Sequence, residues 1–217
     1  MIRVLNAYAG IGGNRHLWPA DWRVTAVEFD ERVAAEYSRR YPLDEVLVED
    51  AHAHVMERAA HYHAVWSSPP CPSHSRLAKV VASRKGTALA PDPRLWDEIA
   101  HLRSSGIPHV VENVHTYYVP PIAPDLVTDR HYYWATDVPL LLTPTGSGIV
   151  SARTTMAEFA AAYGLPPLRH GVVGDARRAM RNAVVPLEGL EVATAAFAVL
   201  ERNPSLVEQN ELREVGA

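Results

Sequence analysis

Cys71 is the only cysteine in the chain. No internal disulfide is open to it, so a reducing, intracellular setting is the default. No run approaches the roughly 18 apolar residues that span a bilayer. The chain opens straight into a strand-like segment, Ile2-Arg3-Val4-Leu5, with no basic-then-apolar signal pattern. These absences lead to the expectation of a cytoplasmic protein that makes no use of a membrane. An excess of positive charge is also missing. The formal net charge of −4 counts, as a total, against a nucleic-acid partner. Clustering overrides totals, however, and Arg and Lys concentrate at 76–84 and 177–181. Internal repeats, heptads and low-complexity tracts are absent too. What is there is an ordinary globular composition, 47% hydrophobic and 21% charged over 217 residues, enough to bury one full core.

The first two-thirds alternate short β-like runs with helix-like stretches, the pattern of an α/β protein with a mostly parallel, Rossmann-like sheet. Strands are expected over 3–6, 23–27, 45–48, 63–66, 109–112 and 132–135. Helices are expected over 13–18, 31–40, 51–60, 93–105, 154–163 and 188–202. Pro42 stops the second helix, and Gly164 and Pro204 end the last two. The stretch 76–93 is basic and poor in large apolar residues, so it reads as a mobile loop.

Chemistry concentrates at the strand ends. Ala9-Gly10-Ile11-Gly12-Gly13 follows the first strand, and glycines there let the backbone turn sharply and approach a nucleotide-type cofactor. The second strand ends at Glu28, an acid placed to meet a ribose diol, with Phe29 beside it to pack on an adenine face. The third ends at Glu49-Asp50-Ala51, where Asp50 offers another polar contact. The fourth runs into Ser68-Pro69-Pro70-Cys71, and the two prolines stiffen the backbone and aim the thiol. A cysteine opening a basic loop is exposed to factors that favour the thiolate, which suits a nucleophile better than a spacer. The fifth ends Val110-Val111-Glu112-Asn113-Val114, where burial after two valines favours a carboxyl that carries a proton near neutral pH. Neighbouring strand ends would bring Glu112 toward Cys71. His52, His54, His61 and His63 invite a metal reading, but their spacing does not align them on a helix and no second cysteine joins them, so no metal is expected. His74, beside Cys71, reads as a loop contact to substrate rather than as half of a hydrolase pair.

Taken in order, Leu5-Asn6-Ala7-Tyr8-Ala9-Gly10-Ile11-Gly12-Gly13, Ser68-Pro69-Pro70-Cys71 and Val111-Glu112-Asn113-Val114 resemble motifs I, IV and VI of the cytosine-carbon-5 DNA methyltransferases. Glu28-Phe29 and Asp50-Ala51 look like that family's motifs II and III. Thr155-Met156-Ala157-Glu158 resembles motif IX, and Arg181-Asn182-Ala183-Val184-Val185-Pro186 resembles motif X. The resemblance implies a sheet of the S-adenosylmethionine-dependent methyltransferase type and double-stranded DNA as partner, with the target cytosine flipped out of the duplex. It implies that Cys71, directed by Pro70, adds to carbon 6 of cytosine while Glu112 protonates ring nitrogen 3 and Asn113 positions Glu112. It further implies that Tyr8, Ala9, Gly10, Gly12, Gly13, Glu28, Phe29, Asp50, Ala51, Asn182 and Ala183 hold S-adenosyl-L-methionine. A compact enzyme of this kind suits a bacterial or phage setting, such as a restriction-modification system.

The chain departs from the family pattern in several places. Arg181 stands where motif X has glycine, and Pro72 stands where motif IV has glutamine after the cysteine. Motif VIII is matched loosely by Asp129-Arg130-His131-Tyr132, where Arg130 or His131 is expected to contact the base or backbone. The family's sizeable target-recognition region shrinks to about Thr136 to Val150, too short for a domain. The chain accordingly divides into a catalytic and cofactor-binding core (1–135), a minimal recognition insert (136–150), a C-terminal part of the core (151–203) and a polar tail (204–217). So little readable surface suggests a very short target site, or a second chain that supplies recognition. A free dCMP-like nucleotide as substrate, or a degenerate homologue that only binds DNA, stay open as alternatives.

Overall fold

The computed structural model describes residues 1–143, 154–166, 168, 179–180 and 182–207. Arg181, most of the basic cluster at 177–181, the recognition insert from 144 onward and the tail from 208 lie outside the described residues.

The expected α/β architecture is present. Five strands, β1 (Arg3–Ala7), β2 (Arg23–Val27), β3 (Glu45–Leu47), β4 (Ala64–Ser67) and β5 (His109–Val114), run parallel. Two more, β6 (Leu126–Val127) and β7 (His131–Ala135), add an antiparallel edge, giving the order β3-β2-β1-β4-β5-β7-β6. The order reverses direction at β1 and β4, and in such sheets ligands bind outside the carboxyl ends of the strands at that switch point.

Strand residues alternate between two cores because successive side chains leave opposite faces. Val4, Trp66, Val110 and Tyr133 pack on one face with Trp18, Trp22 and the helix Pro186–Arg202 through Val192, Ala196 and Phe197. Leu5, Val65, Val111 and Trp134 pack on the other with Val55, Leu95, Ile99 and Leu102. Both faces are therefore covered, as a parallel sheet requires.

Helices start and stop where local chemistry dictates. Asp30 caps α1 (Glu31–Arg40) by accepting from the Arg32 amide, and Asp50 caps α2 (Ala51–Arg58) by accepting from the Ala53 amide. Gly106, at φ 70°, ends α4 (Arg94–Ser105), a left-handed turn that glycine adopts without strain. Thr155 and Glu158 close a reciprocal capping box on α5 (Met156–Tyr163). Pro186 opens α6 (Pro186–Arg202) at the position where its missing N–H costs nothing. The expected helix at 13–18 is a single 3₁₀ turn, Asn14–Leu17.

The stretch 76–93 corrects the sequence expectation. It contains a nine-residue helix, α3 (Arg76–Arg84), rather than a continuous loop. The Ser75 hydroxyl accepts from the Ala78 amide to start it, and Gly86 at φ 67° follows its end. Lys79 lies over the Tyr117 ring at 5.0 Å. Val80 and Val81 stay exposed, although with Leu77 they follow the i, i+3, i+4 spacing of a helix.

Candidate active site

The turn after β1 is shaped by backbone that few side chains tolerate. Tyr8 and Gly10 both have φ 56°, and Gly12 has φ 76°. The glycines divide into two kinds. A Cβ on Gly12 would lie 2.2 Å from the Tyr41 ring, and one on Gly13 would lie 2.5 Å from the Val184 carbonyl oxygen. These two let the turn pack against α1 and against the segment carrying Ala183. A Cβ on Gly10 would meet only the Tyr8 carbonyl oxygen, at 4.0 Å, so Gly10 borders open space.

Glu28 is held from two sides. Its carboxylate accepts from the Gly10 amide at 3.0 Å and from the Asp30 amide at 2.9 Å, which locks it over the first turn. Phe29, next to it, is 77% exposed, a large apolar ring at the rim of the same opening. Asp50 is exposed at the end of β3, with one oxygen committed to capping α2, while Ala51 is buried behind it. Ala9 is buried and its amide donates to the Val27 carbonyl. Ala183 packs against Gly13, and Asn182 is exposed.

Beneath this opening lies a carboxylate that the sequence reading missed. Glu98, on α4, is fully buried and accepts from the Tyr8 hydroxyl at 2.6 Å and the Ser67 hydroxyl at 2.6 Å, with His52 Nδ1 at 2.8 Å. It thereby ties the ends of β1 and β4 to α2. Burial pushes the Glu98 carboxyl above its ordinary range, and the bonds from Ser67, Tyr8 and His52 only partly offset this. The Tyr8 phenol is driven far up by burial and by the adjacent Glu98 charge. A glutamate on the apolar face of a helix was the available signal.

The second half of the site sits on β4 and β5. The register Ser67↔Val111 sets Glu112 one residue beyond the end of β4, level with the loop that carries Cys71. Cys71 is half-buried and outside any disulfide. Its carbonyl accepts from the His74 and Ser75 amides, each at 3.0 Å, so the loop turns tightly into α3. Pro70 is exposed and Pro69 is buried. The Asn113 side-chain amide, buried, donates to the Pro69 carbonyl at 2.9 Å and so fastens this loop to β5.

Glu112 is buried and meets a chain of polar groups. His131 Nε2 lies 3.4 Å from Glu112 Oε1, and His131 Nδ1 lies 3.4 Å from Glu188 Oε1. Glu188 Oε1 also accepts from the Tyr133 hydroxyl at 2.6 Å and the Thr128 hydroxyl at 3.0 Å. Burial would raise the Glu188 carboxyl, but these donors and the His131 charge outweigh it and hold Glu188 below the usual range. Arg130 donates to the Tyr163 hydroxyl on α5. Of the two residues considered for the loosely matched motif, His131 is thus the one facing Glu112.

Three of the four histidines considered for metal binding have structural partners, His63 through the Arg3 amide that donates to its Nδ1. His52 meets Glu98, and His54 meets Glu49 and Tyr62. Among the described residues no group of three or more His, Cys, Asp or Glu is arranged to hold a metal ion. His74 is buried, not offered to a partner, with Nδ1 2.5 Å from the Tyr118 hydroxyl and Trp96 edge-on to its ring. Burial holds its imidazole below the ordinary range. Among the described residues no helix is long and apolar enough to cross a membrane.

No family model and no curated protein matches the chain. Solved structures overlap it in part. A prophage-encoded Escherichia coli protein described as a DNA modification methyltransferase is 17% identical over 55% of this chain and 34% of its own, with a TM-score of 0.38. The Entamoeba histolytica methyltransferase EhMeth is 20% identical over 52% and 38%, with a TM-score of 0.36. A DNMT2 mutant from Spodoptera frugiperda is 22% identical over 52% and 36%, with a TM-score of 0.34. The chain therefore spans 34% to 38% of the length of these structures. Overlap this partial says nothing of what the chain acts on.

Proposed function

We propose that the chain is an S-adenosylmethionine-dependent methyltransferase acting on carbon 5 of cytosine in DNA. The observation that carries this reading is the Asn113–Pro69 hydrogen bond, which couples the Pro-Pro-Cys loop to the strand end bearing Glu112. The ordered motif resemblance and the glycine turn at the switch point support it further.

The residues present suit the cofactor. Open space borders Gly10, Phe29 offers an exposed ring for an adenine face, and Glu28 is pre-oriented by two amides to accept from ribose hydroxyls. Asp50 and Asn182 supply exposed polar groups nearby on the sequence pattern. When bound, S-adenosylmethionine supplies an electrophilic methyl group. The chain supplies the rest. Cys71 sulfur forms a bond to carbon 6 while Glu112 gives a proton to nitrogen 3, which makes carbon 5 nucleophilic. After carbon 5 takes the methyl group, its proton leaves to a base. The carbon 5–carbon 6 double bond re-forms, the sulfur departs, and nitrogen 3 returns its proton to Glu112. Asn113 keeps nucleophile and acid in register throughout. The cytosine must leave the duplex to reach this crevice. With so short a recognition insert, the target site is very short, such as a dinucleotide.

Transfer from labelled cofactor to duplex DNA, compared with dCMP, tests the reading, and covalent trapping on DNA carrying 5-fluorocytosine tests the nucleophile. Transfer to DNA and trapping lost in Cys71→Ser are expected. Transfer to dCMP alone, or trapping by Cys71→Ser, overturns the respective assignment. Base-resolved mapping that finds four or more fixed bases refutes the short site.

A further inference from the structure

The two carboxylate oxygens of Glu98 face different halves of the site. Oε1 accepts from the Tyr8 hydroxyl at 2.6 Å and lies 2.8 Å from His52 Nδ1. Tyr8 belongs to the glycine turn, and His52 follows Asp50-Ala51 on α2, so both come from segments expected to hold the cofactor. Oε2 accepts from the Ser67 hydroxyl at 2.6 Å, and Ser67 ends β4, the strand that feeds the Cys71 loop. Glu98 and Ser67 are both fully buried, so water does not compete for these bonds. Tyr8 meanwhile holds φ 56°, a backbone conformation that a non-glycine residue keeps only where its surroundings fix it.

We infer that Glu98 is a positioning residue that couples the cofactor pocket to the Cys71 loop. The inference deepens the methyltransferase reading and rests on its assignment of the first turn to the cofactor. A carboxylate is planar and rigid, so turning it to follow a displaced Ser67 hydroxyl also moves the oxygen that holds Tyr8. Its stem cannot shift to compensate, because Leu95, Ile99 and Leu102 fix α4 in the core on that face of the sheet. Inside a buried network no water stands ready to replace a lost partner. The turn and the loop are thereby kept in one relative placement. A methyl donor held by the first and a base attacked by the second need that placement to meet, and small errors in it are costly in rate. Glu98 acts on this through Tyr8 and Ser67, which makes its role one of alignment.

The test uses the full chain and two readouts, with folding checked by thermal denaturation. Calorimetric titration with S-adenosylhomocysteine reads the pocket, and alkylation by iodoacetamide reads the loop, since Cys71 is the only cysteine. Ser67→Ala, on the loop side, should weaken S-adenosylhomocysteine binding about threefold or more. Tyr8→Phe, on the cofactor side, should change the alkylation rate about threefold or more. Both cross effects should vanish in a Glu98→Leu background, where the β1–β4 ladder still joins the two strands. In a Glu98→Gln background, which keeps polar atoms in the same places, they should shrink without vanishing. That second background carries the test if Glu98→Leu does not fold. Phe197→Leu, in the core on the opposite face of the sheet, measures the effect of lost stability alone and should move neither readout. Cross effects absent from the folded single variants, or of full size in both Glu98 backgrounds, overturn the inference. A wild type that binds neither S-adenosylmethionine nor S-adenosylhomocysteine sinks the cofactor reading instead, while the alkylation arm still decides whether Glu98 joins the turn to the loop.

Discussion

Asn113 donates its side-chain amide to the carbonyl of Pro69, 2.9 Å away, and so holds the loop bearing Cys71 against the strand bearing Glu112. The bond is buried, and the same side chain accepts from the Val114 amide at 3.0 Å. Asn113→Ala leaves the Pro69 carbonyl and the Val114 amide without these partners and should cost about 1–3 kcal/mol of stability. It should also free the loop, so the rate of Cys71 alkylation by iodoacetamide should change while that of an unfolded control does not. A variant with wild-type melting temperature and wild-type thiol reactivity would remove Asn113 from the site's architecture.

The two kinds of glycine in the first turn should respond unequally to alanine. Gly12→Ala drives a methyl into the Tyr41 ring at a positive φ and should lose about 2–5 kcal/mol in denaturant unfolding. Gly10→Ala meets no neighbour and pays only backbone strain, about 1–2 kcal/mol. Calorimetric titration should nonetheless find S-adenosylmethionine binding weakened in Gly10→Ala beyond what its stability loss explains.

Phe29 makes a cleaner separation of binding from folding. At 77% exposure its truncation to alanine should leave stability within about 0.5 kcal/mol of the wild type. Loss of the stacking face should weaken cofactor binding about five- to tenfold, read by the same titration. Unchanged affinity would move the adenine site away from this rim.

Glu98 predicts a pH dependence with a definite sign. Its folded pKa lies above its ordinary value of 4.5, first because of burial. The folded state therefore binds more protons than the unfolded one between those two values. Its stabilising contribution is complete below the ordinary value and is lost as pH rises through the raised one. Wild-type stability should fall across that window, and the slope should flatten in Glu98→Gln. Urea unfolding at a series of pH values measures it, and equal slopes in both proteins would contradict the assignment.

The strands were legible because a parallel sheet buried on both faces needs short, nearly continuous apolar runs, and Val110-Val111 or Ala64-Val65-Trp66 can hardly be read otherwise. Helix starts at Asp30, Asp50 and Thr155 were equally local, set by side chains that bond amides two or three residues on. The helix Arg76–Arg84 did carry a local signal, Ser75 as its cap and Leu77, Val80 and Val81 at helical spacing, but its basic residues and few large apolar side chains made it read as a loop. Strand β6 escaped notice because two residues carry no periodicity. Glu98 and the pairing of His131 with Glu188 were hidden for a different reason: their partners lie 57 positions apart for the latter and 90 for Glu98 with Tyr8.

By itself, then, the order of residues along the chain determined the alternation of strands and helices, the glycine turn, and the presence of Cys71 and Glu112 on successive strand ends. Those are local consequences of backbone sterics and hydrophobic period. Which side chain faces Glu112, and that Glu188 stands behind it, was decided only when β5, β7 and α6 packed together. Burial removes water as a partner, and each buried charge must then be answered by whatever group the fold brings alongside.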